Sequence, residues 1–222
     1  MKIAFAHNVY NRLKTLKDTI LIEKKYYPDA YVSVACNDVF VNIFQEITNF
    51  SATTFNEKPH KIGCVNGCIL SIKQLLNTDF DVLVFSHDDV RINENYLHVV
   101  QGHINDVTSG RYDIICRMPE DYGDNYYMME VFYMSKKAAI KLFSELNPIE
   151  NEGEIPKDLH GSISPEVWTY NLFTQSGLKI NEIRFPIKVR NAEEGIKRNY
   201  NKVLGQNLGY HHLNAGKRGW TD

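Results

Sequence analysis

Residues 81–89 read Asp-Val-Leu-Val-Phe-Ser-His-Asp-Asp, and this stretch decides the fold. Val82 to Phe85 are four consecutive apolar side chains without alternation, the pattern of a strand buried on both faces. A strand covered on both faces needs helices on both, which predicts an α/β sheet. The two carboxylates that follow stand at a strand's carboxyl end, where open α/β sheets bind their ligands.

The flanking sequence repeats the pattern. Residues 2–6 (KIAFA) and 31–36 (YVSVAC) predict strands, and 11–25, with Leu13, Leu16, Ile20 and Leu21 at helical spacing, a helix between them. Further helices are expected over 39–50 and 66–76, then strands over 112–116 and 128–134 and a helix over 135–145. An acidic loop over 147–161 is punctuated by Pro148, Gly153, Pro156 and Gly161. Ser164 as N-cap, Pro165 at the first helical position and Gly177 as a stop frame another helix, before a last strand over 178–185. This alternation predicts a mostly parallel central sheet flanked by helices.

The chain has 222 residues, 43% of them hydrophobic and 23% charged, enough for one large domain with a proper core. No apolar run approaches the ~20 residues of a membrane span, and the apolar start is too short for a signal-peptide core. A cytoplasmic protein is expected. A net charge of -2 gives no general reason to bind nucleic acid, yet the charge is unevenly spread. Residues 184–222 hold eight of the 25 Lys and Arg but only Glu193, Glu194 and Asp222 of the 27 acids, so an acidic body carries a basic tail. The cysteines, Cys36, Cys64, Cys68 and Cys116, read as buried reduced thiols, with Cys64 and Cys68 on adjacent turns of one helix.

Polar residues cluster after three predicted strands: His7-Asn8, Asn37-Asp38 and His87-Asp88-Asp89. Two adjacent carboxylates after an apolar strand repel each other and lose hydration unless a cation or donors meet them. Hard oxygen ligands favour Mg²⁺ or Mn²⁺, which suit a diphosphate leaving group; a solvated acidic turn is the other reading. Phe85-Ser86-His87-Asp88-Asp89-Val90, the opening strand with His7-Asn8, Cys36-Asn37-Asp38 and Gly63-Cys64-Val65-Asn66-Gly67 together resemble the GT-A class of nucleotide-sugar glycosyltransferases, most like family 2, over about residues 1–185.

That resemblance implies a domain over 1–185, with a nucleotide-binding half (1–90) and an acceptor half (91–185), and a basic segment (186–222) closing over the donor site. His87 stands where the family has the first Asp of its Asp-x-Asp element. Metal contact then falls chiefly on Asp89, with Asp88 on ribose or metal-bound water and His87 as a nearby donor or a packing residue. Ala6, His7, Asn8, Asp38, Gly63 and Asn66 are the implied nucleoside contacts. Arg12 lies near enough to reach phosphate, although such a position is more often a helix-surface charge. Glu166, at the start of the helix after Ser164, is the implied general base, with Asp121, Asp124 and Glu130 as reserves beside Tyr122, Tyr126 and Tyr127. In the tail, His211 or His212 is implied as a metal ligand and Lys217 or Arg218 as a phosphate clamp. The expected activity is Mn²⁺- or Mg²⁺-dependent transfer of a sugar, from UDP first among nucleotides, to a glycan or glycoconjugate, with inversion. The alternatives are a non-catalytic sugar-binding module and a sugar-phosphate nucleotidyltransferase; the second normally has a Gly-rich, Arg-bearing loop that residues 6–10 lack.

Overall fold

The computed structural model describes residues 1–9, 12–36, 44, 48–53, 60–119, 126–185 and 202–212. The central run becomes β4 (Val82–His87), flanked by β1 (Ile3–Asn8) and, on the far side of β1, β2 (Tyr31–Cys36) and β3 (Phe50–Thr53). On its other side lie β7 (Met128–Ser135), β6 (Ile114–Pro119) and β8 (Ile180–Phe185), giving the order β3-β2-β1-β4-β7-β6-β8. Every neighbouring pair is parallel except those made by β7, which runs against both β4 and β6. The sheet is therefore mostly parallel, as expected.

Alternation within the central strands explains both layers. Ala4, Ala6, Leu83 and Phe85 face one core, closed by the helices His60–Leu75, Lys136–Phe143 and Pro165–Thr174. Ile3, Phe5, Val82 and Val84 face the other, closed by Leu13–Tyr26, Leu97–Thr108 and a helix over 202–208. Every side chain of β1 is buried. The four cysteines are buried free thiols, and Cys64 and Cys68 share one helix. Among the described residues no helix is long and apolar enough to cross a membrane.

Three expectations change. The second helix, expected over 39–50, lies largely outside the described residues; Phe44 is helical, but Phe50 already opens β3. The helix expected from residue 66 begins at His60, so Gly63, Asn66 and Gly67 are interior helical residues. Leu21 faces water while Leu16 and Ile20 enter the core. Ser164 caps its helix as expected, its Oγ accepting from the Val167 N–H at 3.3 Å, and Gly177 follows with φ +67°.

Gly67 is where a side chain cannot fit. A Cβ there would come within 1.9 Å of Asn8 Oδ1, so glycine lets the helix lie directly on the end of β1. Gly67→Ala is expected to destabilise the protein by about 1–3 kcal/mol through overpacking. Gly102→Ala, in a helix with nothing within 4 Å of the new methyl, is expected to be neutral or stabilising by up to ~1 kcal/mol. Chemical denaturation of both variants checks the contrast.

Candidate active site at the β1/β4 switch point

The strand order places β1 and β4 side by side while the chain leaves β1 towards β2, so the sheet changes winding direction between them. Ligand crevices of doubly wound sheets open at the carboxyl ends of such a pair. Asn8 stands opposite His87 there, and the Asp88 N–H donates to Asn8 O at 3.1 Å, drawing the acid pair over the end of β1.

Asp88 and Asp89 are each only 6% exposed. Their charges are met by Arg12, itself 3% exposed, at the N-terminal cap of Leu13–Tyr26. Its backbone N–H donates to Asp88 Oδ2 at 3.2 Å, and its guanidinium Nη1 stands 3.9 Å from Asp89 Oδ2. The second distance supplies charge compensation without a short hydrogen bond. Arg12 is thus a buried member of the site rather than a helix-surface charge. The sequence signal for it was its place at the mouth of the first strand–helix connection.

The chain then turns into β5 (Val90–Ile92), which pairs antiparallel with β9 (Tyr210–His212) in a separate two-stranded sheet. Val90 stands opposite His212 and Arg91 opposite His211, so the tail histidines arrive beside the residue after Asp89. Arg91 Nε donates to His211 Nε2 at 2.6 Å. Asn93 N–H donates to Gly209 O at 2.8 Å, His103 Nε2 lies 2.7 Å from Asn207 O, and Tyr133 Oη donates to Leu208 O. Residues 202–212 are therefore built into the body.

Glu166 is half-buried in the first turn of Pro165–Thr174, where its Oε2 accepts from Ser164 Oγ at 3.1 Å. Burial, followed by the charge of Glu166 and then by Cys68, Asp88 and Asp89, holds the Cys64 thiol well above its ordinary range. The Cys64 thiol thus lies within electrostatic reach of both the acid pair and Glu166. Cys64 Sγ also lies 3.6 Å from His87 Nε2, and the His87 ring meets Phe85 edge-on, so His87 has both a polar and a packing contact.

Other predicted contacts have their side chains engaged elsewhere. Ala6 is core. His7 is fully buried, with Nε2 2.8 Å from Glu23 Oε2 and Nδ1 3.0 Å from Ser86 Oγ. Asn8 turns its amide onto Cys64 O at 3.2 Å. Asn66 binds Ile149 at both ends, donating to its O at 2.9 Å and accepting from its N–H at 2.6 Å. Gly63 has open space at its Cα. Glu130 is paired with the buried Arg117 at 2.9 Å. Asp38, Asp121, Asp124, Lys217, Arg218 and the His212 side chain lie outside the described residues. Among the described residues no three His, Cys, Asp or Glu side chains form a group able to hold a metal ion by themselves.

Glu23 went unnoticed in the sequence. Burial raises its carboxyl pKa, and His7 draws it only part of the way back. A raised folded value means that the native state keeps a proton which the unfolded chain releases near pH 4.3. The corresponding stability is fully present below that pH and is lost as pH rises through the folded value. Glu23→Gln removes this loss, so its stability relative to the parent is expected to improve as pH rises from 4 to 8, read by denaturant titration at both.

No protein-family model matches the sequence, and no curated protein matches it. Solved structures do resemble it. A glycosyltransferase involved in the glycosylation of the major capsid of PBCV-1 superposes with a TM-score of 0.58 at 10% identity, over 98% of this chain and 95% of that one. S. aureus TarS gives 0.51 at 12% identity, over 93% of this chain and 43% of that one. At these identities the likeness is one of fold: a mostly parallel, Rossmann-like α/β sheet of the GT-A type.

Proposed function

We propose that this chain is a GT-A glycosyltransferase that moves a sugar from a nucleotide-diphosphate sugar, UDP-linked first among them, to a glycan or glycoconjugate hydroxyl with inversion. One observation carries the reading: a buried acid pair at the β1/β4 switch point, met by Arg12 and bordered by the C-terminal strand. The fold shared with a glycosyltransferase along nearly the whole chain supports it.

The donor set fits a hard divalent cation. Mg²⁺ and its like take one or two carboxylates and complete their shell with water and substrate phosphate, which agrees with a pair of acids rather than a closed cage. In the proposal Asp89, Asp88 and a tail histidine hold Mn²⁺ or Mg²⁺; His212 is the better histidine because Arg91 engages His211. The bound ion supplies neutralisation of the diphosphate leaving group.

The chain's own residues do the rest. Arg12 adds positive charge at the diphosphate, with Lys217 or Arg218 expected to join it. Asp38 is proposed to accept from the nucleoside, with backbone at the ends of β1 and β4 framing the base. Glu166 takes the acceptor's proton as the acceptor oxygen bonds to the anomeric carbon, and the carbon–oxygen bond to the diphosphate breaks with its electron pair leaving on the diphosphate. Ser164, donating to Glu166, aims that carboxylate.

The test is nucleotide release from a panel of UDP-, GDP- and dTDP-sugars with Mn²⁺. Release with one donor supports the reading. Tight, metal-dependent binding without turnover with any acceptor would leave a binding module instead, and transfer of a nucleotidyl group from a triphosphate to a sugar phosphate would make it a nucleotidyltransferase.

A further inference from the structure

Between the sheet and Leu13–Tyr26 lies a polar line that the proposed reaction does not use. Glu23 is fully buried, its Oε2 2.8 Å from His7 Nε2, and His7 Nδ1 is 3.0 Å from Ser86 Oγ. His7 and Ser86 stand opposite each other in the β1–β4 pairing, one residue before Asn8 and two before Asp88. Among the described residues Glu23 Oε1 has no partner, and neither has the buried Oη of Tyr210 in β9. Glu23 is within electrostatic reach of Tyr27, Tyr133 and Tyr210, so the titratable groups around it are one imidazole and three phenols. We propose that Glu23 is a positioning residue for the acid pair, acting through His7 and Ser86 to fix where the Leu13–Tyr26 helix sits along β1 and β4, and so where Arg12 meets Asp88 and Asp89.

The argument is one of direction. Leu16 and Ile20 hold the helix to the core, but apolar contact is non-directional and tolerates sliding and rotation. The Glu23–His7 bond, from the helix interior into the strand ends, has a fixed geometry and can set register, the best-attested role of buried polar groups. Arg12 is eleven residues up the same helix, about 16 Å along its axis, so a slip at Glu23 is carried rigidly to the acid pair. An ionised carboxylate wants several donors, and among the described residues this one meets only His7 and leaves Oε1 unbonded, so the line works with Glu23 protonated. Its O–H then donates to His7 Nε2, and the His7 Nδ1–H donates to Ser86. Glutamine can reproduce the bond to His7; leucine fills the volume and cannot.

The inference rests on the proposed function only in calling Asp88-Asp89 the donor site, and its test needs no donor. Amide hydrogen exchange is measured on the full chain as Glu23→Gln and Glu23→Leu. Glu23→Leu is expected to speed exchange at Arg12, residues 88–92 and residues 210–212 at least tenfold while leaving Lys136–Phe143 unchanged, with Glu23→Gln within twofold of the parent throughout. Unchanged exchange at Arg12 and 88–92, acceleration spread evenly over the chain, or Glu23→Gln matching Glu23→Leu overturns the proposal. Should Glu23→Leu fail to fold, Ser86→Ala removes only the far hydroxyl. It is expected to speed the same amides about threefold, and no local change there overturns the proposal equally. A chain that turns over no nucleotide sugar leaves this result intact, so the two failures are separable.

Discussion

Asp89→Asn is expected to weaken Mn²⁺-dependent binding of a nucleotide-diphosphate sugar by at least a hundredfold, about 2.7 kcal/mol, while the thermal midpoint moves by only a few degrees. The change is isosteric and removes one negative charge from a carboxylate that is 6% exposed. Two unit charges 4 Å apart interact by about 4 kcal/mol at an effective dielectric of 20, so a lost carboxylate–cation contact is large on the scale of binding. The fold has less at stake. Arg12 stands 3.9 Å from Asp89, too far for a short hydrogen bond, and keeps the bond from its backbone N–H to Asp88. Isothermal titration of UDP-sugar with and without Mn²⁺ reads the effect, with Asp106→Asn, in the helix Leu97–Thr108 and paired with the exposed Arg111, as the control. Unchanged metal-dependent binding in Asp89→Asn would remove the acid pair from the donor site even if the fold is right.

Asp88-Asp89 was legible because β4 announces itself. Val82 to Phe85 carry two cores at once, and an unbroken apolar run followed by acids states both the strand and its polar end. Ser164 and Pro165 were legible for a similar reason: a cap acts within three residues, and its chemistry is local. The pairing of β5 with β9 joins Arg91 to His211, 120 residues apart, through three-residue strands too short to show any period. Nothing local marks such a contact, although the basic tail gave a reason to look for one.

His7 shows what the sequence does not carry. A polar residue at a strand's end looks like a ligand contact, and it is the Glu23 carboxyl sixteen residues away that claims it. Asn66 is engaged in the same way, its amide closing onto the Ile149 backbone. Polar residue type and position point to the carboxyl end of the sheet; which partners those side chains take is decided by tertiary packing.

Glu166→Gln is expected to lower turnover by about 10²–10⁴-fold, the usual contribution of a general base, with donor affinity unchanged. Glu166 is the acid proposed for this role. It sits half-buried at a helix start with Ser164 Oγ at 3.1 Å, and its charge reaches Cys64 together with those of Asp88 and Asp89. Glutamine keeps the size and still accepts from Ser164, so a drop reports the lost proton acceptor rather than a lost cap. Ser164→Ala separates aim from chemistry: it leaves the base but frees its carboxylate, and a smaller loss in turnover is expected, about tenfold. Steady-state turnover and donor titration on the same preparations divide the outcomes. A loss in affinity equal to the loss in turnover would place Glu166 in donor binding. Full activity in Glu166→Gln would strike out the inverting mechanism with this base, and analysis of the product's anomeric configuration would then show whether the sugar is transferred with retention.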